Sequence, residues 1–186
     1  MGCKLLPFRD YDEHEVINLF RWSGTVPADQ GTIVTVVDTA GWQQSETDTA
    51  FLGAVGKSYH NTESQRYGVN AMVRPAATGD AAPIGMLLHS VKEEDENGEK
   101  LIFNPRKLAE MEAVLSGQAV PIVSRGVFLY SGSTINSQTV SPGQKLRCDA
   151  NGLLTTGNHG TDHVTVAQAL GPVDATYNSI LIKLEL

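Results

Sequence analysis

The chain has 186 residues, of which 41% are hydrophobic and 19% charged, and 14 Lys and Arg against 21 Asp and Glu give a net charge of −7. This length fits one main core, the composition argues against general disorder, and the absence of any basic run argues against nucleic acid as a partner. No apolar run reaches the roughly 18–20 residues that a membrane span requires, so we expect no membrane partner.

The start of the chain lacks the uninterrupted apolar stretch of a secretory signal, so we expect a chain that is not exported. Residues 1–22 are predicted to form an extended N-terminal arm, because Pro7 disfavours a helix there. Their apolar side chains could bind a partner, or they could close one end of the protein's own barrel. The candidate partner-contact residues are Leu5, Leu6, Phe8, Tyr11, Phe20 and Trp22.

A single β-rich domain is predicted over 23–186. Its first strand is the β-branched run 33–37, which ends in an Asp-Thr-Ala-Gly turn. Residues 42–68 are polar and show no hydrophobic period, which predicts a long loop. The loop includes a stretch that ends like a phosphate-binding motif, but Phe51 stands where the first glycine is required, so we expect no nucleotide site.

The middle of the chain predicts a hairpin. Residues 84–91 and 99–103 are expected to pair as strands across Asn97-Gly98, which suits a type I′ turn. The five carboxylates of residues 92–100 lack the spacing of an EF-hand, so they are interpreted as a solvated hairpin tip.

One helix is predicted, over about 105–116. Asn104 can cap its N terminus, Pro105 suits its first turn, and Gly117 can end it. The segments that follow are short apolar runs separated by Gly, Pro and Asn, which is typical of strands and tight turns. The sequence therefore predicts a mainly β fold, with a small β-barrel or β-sandwich core and the short α-helix packed on one side.

Local chemistry is sparse. The stretch HGTDH places His159, Asp162 and His163 within five residues, but a catalytic zinc needs a third protein ligand and a second shell, and no partner is evident. We interpret this stretch as a solvated loop. No nucleophile elbow of the Gly-x-Ser-x-Gly type is present. The sequence favours a protein that is not an enzyme and has no catalytic residues, cofactor or metal.

The last part of the chain resembles a known family. The stretch SPGQKLRCDANGLLTT, followed by VTVAQALGPVDATYNSILIKLEL, resembles the small β-rich decoration proteins of tailed-bacteriophage capsids, also called cement or head-stabilising proteins. The features that carry the resemblance are Ser141-Pro142-Gly143 before a short strand, the turn at 149–152, the Ala-rich segment 166–170 and the apolar strand at 180–186.

The resemblance implies a structural virion protein on the outer surface of the capsid, made in the cytoplasm of the bacterial host. Such proteins bridge neighbouring subunits of the major capsid protein and help the shell to resist the pressure of packed DNA. The resemblance also implies a homo-oligomer, with a homotrimer favoured and a dimer possible. The alternatives are another phage assembly component, such as a tail- or fibre-associated β module, and, less favoured, a small metal-dependent hydrolase.

Overall fold

The computed structural model describes residues 3–8, 12–38, 50–51, 67–68, 71–77, 80, 82–157 and 164–186. Most of the regular structure in these residues is β-strand, which confirms the predicted mainly β fold class. The strands are β1 Lys4–Pro7, β2 Val16–Trp22, β3 Ile33–Val36, β4 Ala50–Phe51, β5 Tyr67–Gly68, β6 Met72–Pro75, β7 Pro83–Leu87, β8 Ser90–Val91, β9 Ala113–Val114, β10 Ala119–Val123, β11 Arg125–Ser131, β12 Lys145–Cys148, β13 Leu154–Thr155, β14 Ala167–Ala169 and β15 Ile180–Glu185. The helices are α1 Pro105–Glu110 and α2 Ser133–Asn136, with 3₁₀ turns at Glu13–Glu15 and Leu101–Phe103.

Five strands form a small closed barrel in the order β10-β2-β6-β3-β7, and β7 pairs with β10 to close it. The β2–β6 pair is parallel, and the other pairs are antiparallel. Each strand contributes large apolar side chains to one buried cluster, as expected because a barrel of this size is filled by its own side chains. That cluster includes Phe20, Trp22, Val34, Val73, Leu87, Val120 and Ile122.

A six-stranded antiparallel sheet has the order β1-β11-β15-β14-β12-β13. Its inner face packs against the outside of the barrel and forms a second buried cluster. Ile33, Met86 and Val123 of the barrel strands belong to this second cluster, whereas their sequence neighbours fill the barrel. Adjacent side chains of a strand point to opposite sides of the sheet. The strands β3, β7 and β10 therefore carry apolar side chains on both their inner and their outer sides.

One residue joins the two sheets where β10 ends and β11 begins. The backbone N–H of Ser124 donates to the carbonyl of Glu15 at 2.9 Å, and its hydroxyl donates to the same oxygen at 3.2 Å. The backbone N–H of Leu186 donates to the Ser124 carbonyl at 3.1 Å. The start of β2 and the end of β15 are therefore both fixed at this junction.

The described part of residues 1–22 differs from the predicted extended arm. β1 pairs with β11 in the six-stranded sheet, and β2 is a strand of the barrel. The physical reason is burial, since these strands contribute side chains to both cores. The alternative, that the apolar side chains close one end of the protein's own barrel, is closer because Leu5, Phe20 and Trp22 are buried in the protein itself. However, β2 forms part of the barrel wall and β1 belongs to the other sheet, so neither closes an end.

The predicted helix is shorter than expected. The side chain of Asn104 accepts the N–H of Lys107 and Pro105 begins α1, as predicted, but the helix ends at Glu110. Glu112 has a φ of 47°, which a helix cannot contain, and the next residues form β9 in parallel with β8. Burial of Ala113, Val114 and Leu115 replaces the predicted last turn.

The predicted hairpin across Asn97-Gly98 is also corrected. The chain does turn there, but only Gly98 of the two residues has a positive φ, at 80°, so the turn is not of type I′. Glu94 and Lys100 form one isolated bridge, residues 101–103 form a 3₁₀ turn, and β7 pairs with β3 and β10 instead. Most of the loop predicted for 42–68 lies outside the described residues, which include β4 and β5 there as an antiparallel pair.

Candidate interaction surface

The side of the six-stranded sheet that faces away from the barrel carries an unusual number of apolar side chains. On β11 and β15 the even-numbered side chains from Phe128 onwards are buried in the core, so the odd-numbered residues lie on the opposite side. On β1 the buried residue is Leu5, so its neighbours lie outside. We call this side the outer face; its residues include Lys4, Leu6, Phe8, Arg125, Val127, Leu129, Ser131, Lys145, Gln168, Leu181, Lys183 and Glu185.

Strand register places three leucines in one row across the outer face. Leu6 lies opposite Leu129, and Leu129 lies opposite Leu181. Directly opposite residues of antiparallel strands have Cβ atoms about 4.5–5.5 Å apart, so these side chains contact one another. Leu6 is 37% exposed, and Leu129 and Leu181 are half-buried. We call this set the leucine row.

A second row changes from apolar to cationic across the face. The N–H of Phe8 donates to the Val127 carbonyl at 3.0 Å, which continues the β1–β11 ladder by one residue. Val127 lies opposite Lys183, Lys183 opposite Gln168, and Gln168 opposite Lys145. Phe8 is 60% exposed at the apolar end of the row.

The leucine row forms the floor of a groove of about 560 Å³. The segment after β14 forms its wall, where the ring of Tyr177 is 77% exposed. Asp174 fixes this wall, because its carboxylate accepts the backbone N–H groups of Thr176 and Tyr177 at 2.8 and 3.3 Å. The hydroxyl of Ser131 donates to the Asn178 carbonyl at 2.7 Å, which holds the wall against β11. Hydrogen bonds from the short side chains of Asp174 and Ser131 to backbone groups therefore fix the position of the wall.

The charges of the outer face differ in sign from the net charge of the chain. Lys4, Arg125, Lys145 and Lys183 are exposed on it. Lys183 lies 3.2 Å from the Glu185 carboxylate, whereas neither Lys4 nor Lys145 forms an ion pair with any described residue. A chain of net charge −7 thus carries unneutralised cations beside its leucine row.

The two edges of this sheet are poor sites for adding another strand. The backbone N–H and C=O groups of Leu6 and Phe8 point towards β11. Because these groups alternate in direction along a strand, those of Pro7 point away from the sheet. Proline has no N–H to offer there, a common protection of edge strands. The edge at β13 is closed by the side chain of Gln138. The outer face, and not an edge, is the surface suited to a partner.

The structure separates the predicted partner-contact residues. Leu6 and Phe8 lie on the outer face, and Tyr11 lies outside the described residues. Leu5, Phe20 and Trp22 are 1%, 9% and 4% exposed, which corrects their assignment, because side chains filling the core are not free to contact another molecule.

The sequence prediction missed Leu129, Leu181 and Tyr177. A signal for the two leucines was present, since residues 127–130 and 180–182 are apolar at both alternating positions. A strand with one solvated face normally alternates between apolar and polar residues. The unbroken apolar runs therefore predict that the second face of these strands is also covered.

Other polar groups in the described residues have structural roles. Lys107 forms an ion pair with Asp95 and holds the pKa of that carboxyl below its usual value, and Asp95 accepts the N–H groups of Asn97 and Glu99, each at 2.8 Å. Burial raises the pKa of Cys148 to about 12 and also raises that of Cys3, so neither is a ready nucleophile at neutral pH.

The stretch 159–163, with its two histidines and Asp162, lies outside the described residues. Among those that are described, no group of three His, Cys, Asp or Glu side chains is placed to hold a metal ion. No helix in the same part of the chain is long and apolar enough to cross a membrane. Comparison of the chain with protein families, curated proteins and solved structures finds no match.

Proposed function

We propose that this chain is a structural virion protein of a tailed bacteriophage that decorates the capsid from outside and bridges subunits of the major capsid protein. The observation that carries the proposal is the leucine row on the six-stranded sheet, with the exposed Phe8 on the same face and the exposed Tyr177 in the wall of the groove. Contiguous exposed apolar surface of this kind marks interaction sites on soluble proteins. The resemblance of residues 141–186 to capsid decoration proteins supplies the class of partner.

The mechanism requires no reactive centre. Anything that binds the assembled shell but not the free subunits stabilises the shell by mass action. A homo-oligomer, with a trimer favoured and a dimer possible, presents several copies of the outer face at once. Linked copies convert later contacts into intramolecular ones, which raises the overall affinity without any new contact.

The test is binding of the purified chain to heads that lack it. The informative variant is Leu6→Glu with Tyr177→Ser, because both side chains are exposed and their replacement should leave the fold intact. Phe103→Glu is the matched control, since Phe103 is 82% exposed but lies outside the outer face. Circular dichroism and thermal melting establish that all three proteins are folded.

We expect the wild-type chain and Phe103→Glu to coat the heads and sediment with them. We expect the double variant to stay in the supernatant. Equal coating by the double variant would show that the outer face is not the contact. Absence of wild-type binding to heads, or labelling of the tail or fibres in electron micrographs, would overturn the proposal and favour another phage assembly role.

A further inference from the structure

We infer that the outer face binds a protein surface whose apolar side chains are flanked by carboxylates, placed opposite Lys4 and Lys145. This inference rests on the proposed function and specifies the chemistry of the capsid surface that the chain contacts.

Lys4 and Lys145 lie on opposite sides of the leucine row. Lys4 lines the groove beside Leu6, on the first strand of the sheet. Lys145 lies on the fifth strand, in the row that continues through Gln168 and Lys183. Strands are about 4.8 Å apart, so the two lysines are separated by roughly 20 Å, with the leucine row and its neighbours between them.

A partner bound to the outer face would desolvate its lysines. A partner that covers the leucine row and extends to the fifth strand also removes water from Lys4 and Lys145, and this costs free energy unless the partner supplies an opposite charge. Lys183 already has Glu185 at 3.2 Å, but Lys4 and Lys145 have no carboxylate within 4.0 Å among the described residues. The complementary surface therefore carries its carboxylates at these two positions.

The same charges argue against two other occupants. A second copy packed face to face would place mostly cations opposite cations, because Lys4, Arg125, Lys145 and Lys183 outnumber Glu185 on the outer face. Nucleic acid is disfavoured because a chain of net charge −7 repels a phosphate backbone overall and its sequence has no run of cations. A protein surface also fits the size of the site. Four strand spacings by six residues cover roughly 20 by 20 Å, which is at the low end for a protein interface and suits a contact repeated over many copies.

The test measures the affinity of fluorescently labelled chain for undecorated heads at about 50 mM and about 500 mM NaCl. The screening length falls below about 5 Å at the higher concentration, so we expect the affinity of the wild-type chain to fall several-fold. Lys4→Glu with Lys145→Glu should bind about tenfold more weakly at low salt. The control, Lys100→Glu with Arg106→Glu, makes the same change in net charge at exposed sites outside the outer face and should bind within about twofold of the wild type.

The outcomes separate the two proposals. If the wild-type chain binds heads, but salt has no effect and both charge variants bind alike, the inference is wrong and the proposed function stands. If the wild-type chain does not bind heads at all, the proposed function fails. Two results would assign the face to another occupant and overturn the inference: lysine-dependent binding to vesicles of phosphatidylcholine and phosphatidylserine, or self-association in sedimentation that Lys4→Glu with Lys145→Glu abolishes.

Discussion

The side chain of Gln138 closes the edge of β13 at Thr156. Its Oε1 accepts hydrogen bonds from the backbone N–H and from the hydroxyl of Thr156, both at 2.8 Å. Its Nε2 donates to the hydroxyl oxygen of Thr155 at 2.9 Å. One amide therefore satisfies both hydroxyls and the one backbone N–H among these groups that a neighbouring strand could otherwise pair.

Replacing Gln138 with Leu should lower the free energy of unfolding by about 1–3 kcal/mol, because the N–H of Thr156 loses its acceptor in a partly buried setting. Urea denaturation followed by circular dichroism measures the change. Gln144→Leu is the control, since Gln144 accepts the Ser141 N–H at 3.0 Å at an exposed position. An equal loss in both variants would show that the closed edge contributes nothing specific.

Gly85→Ala should destabilise the barrel where β7 meets β10. A Cβ at this position would lie 2.4 Å from the Val123 carbonyl oxygen and 2.6 Å from Cγ2 of Ile122. Because the closest atom belongs to the backbone, we expect a loss of about 1–3 kcal/mol or more in the free energy of unfolding. Gly171→Ala, where no neighbouring atom lies within 4 Å, should change it little. Equal thermal melting of the two variants would refute the close approach.

Asp80 should contribute stability that is lost in acid. It forms a two-point ion pair with Arg74, each contact at 2.9 Å, and it accepts the N–H of Ala77 at 2.7 Å. The Arg74 hydrogen bond is the main cause of the lowered pKa of Asp80 in the folded protein. The contribution is thus fully present above the unfolded pKa of about 3.9 and is lost as the pH falls through the folded value.

The side chains of Arg74 and Asp80 are 37% and 20% exposed, so solvent screening limits this contribution to about 1 kcal/mol. Asp80→Asn should therefore be less stable than the wild type at pH about 6 and converge with it towards pH about 2 in urea titrations. Glu110→Gln removes the exposed pair with Arg106 and is the control. Parallel stability curves for Asp80→Asn and the wild type would contradict the prediction.

His89 should make the fold less stable in mild acid. Burial lowers its pKa in the folded protein, and Glu112 opposes this only in part. The unfolded chain takes up the proton first, so stability is full above the unfolded pKa of about 6.5 and declines as the pH falls from there to the folded value. His89→Gln should remove the decline in thermal melts between pH about 7 and about 5, whereas the exposed His14→Gln should retain it. A decline of the same size in both variants would assign it to other groups.

Local signals in the sequence were enough to place several elements. The β-branched run at 33–37 contains β3, and the side chain of Asn104 caps α1 at 3.3 Å as predicted. Both depend on residues within a few positions of one another. The features that were not predicted depend on pairing between segments that are distant in the chain. The helix ends early because β9 pairs with β8, about 20 residues earlier in the chain.

In the candidate site, too, local sequence predicted part of the arrangement and strand pairing decided the rest. Leu6 and Phe8 were predicted as contact residues from their apolar character alone, which gave the same assignment to Leu5, although it is 1% exposed. Only the pairing of β1 with β11, far along the chain, decides which of these side chains face outwards. The leucine row consists of residues from three strands distant in sequence, so no local pattern could assemble it.

The junction at Ser124 has a mechanical consequence. Leu129, the middle residue of the leucine row, lies on β11, and the covalent link from β11 to β10 leads directly into the barrel. Because β1 and β15 flank β11 in antiparallel register, a load along the strand acts on many hydrogen bonds in shear at once and does not open them one by one. In the proposed role, the same architecture would let the chain resist tension from the shell that it binds.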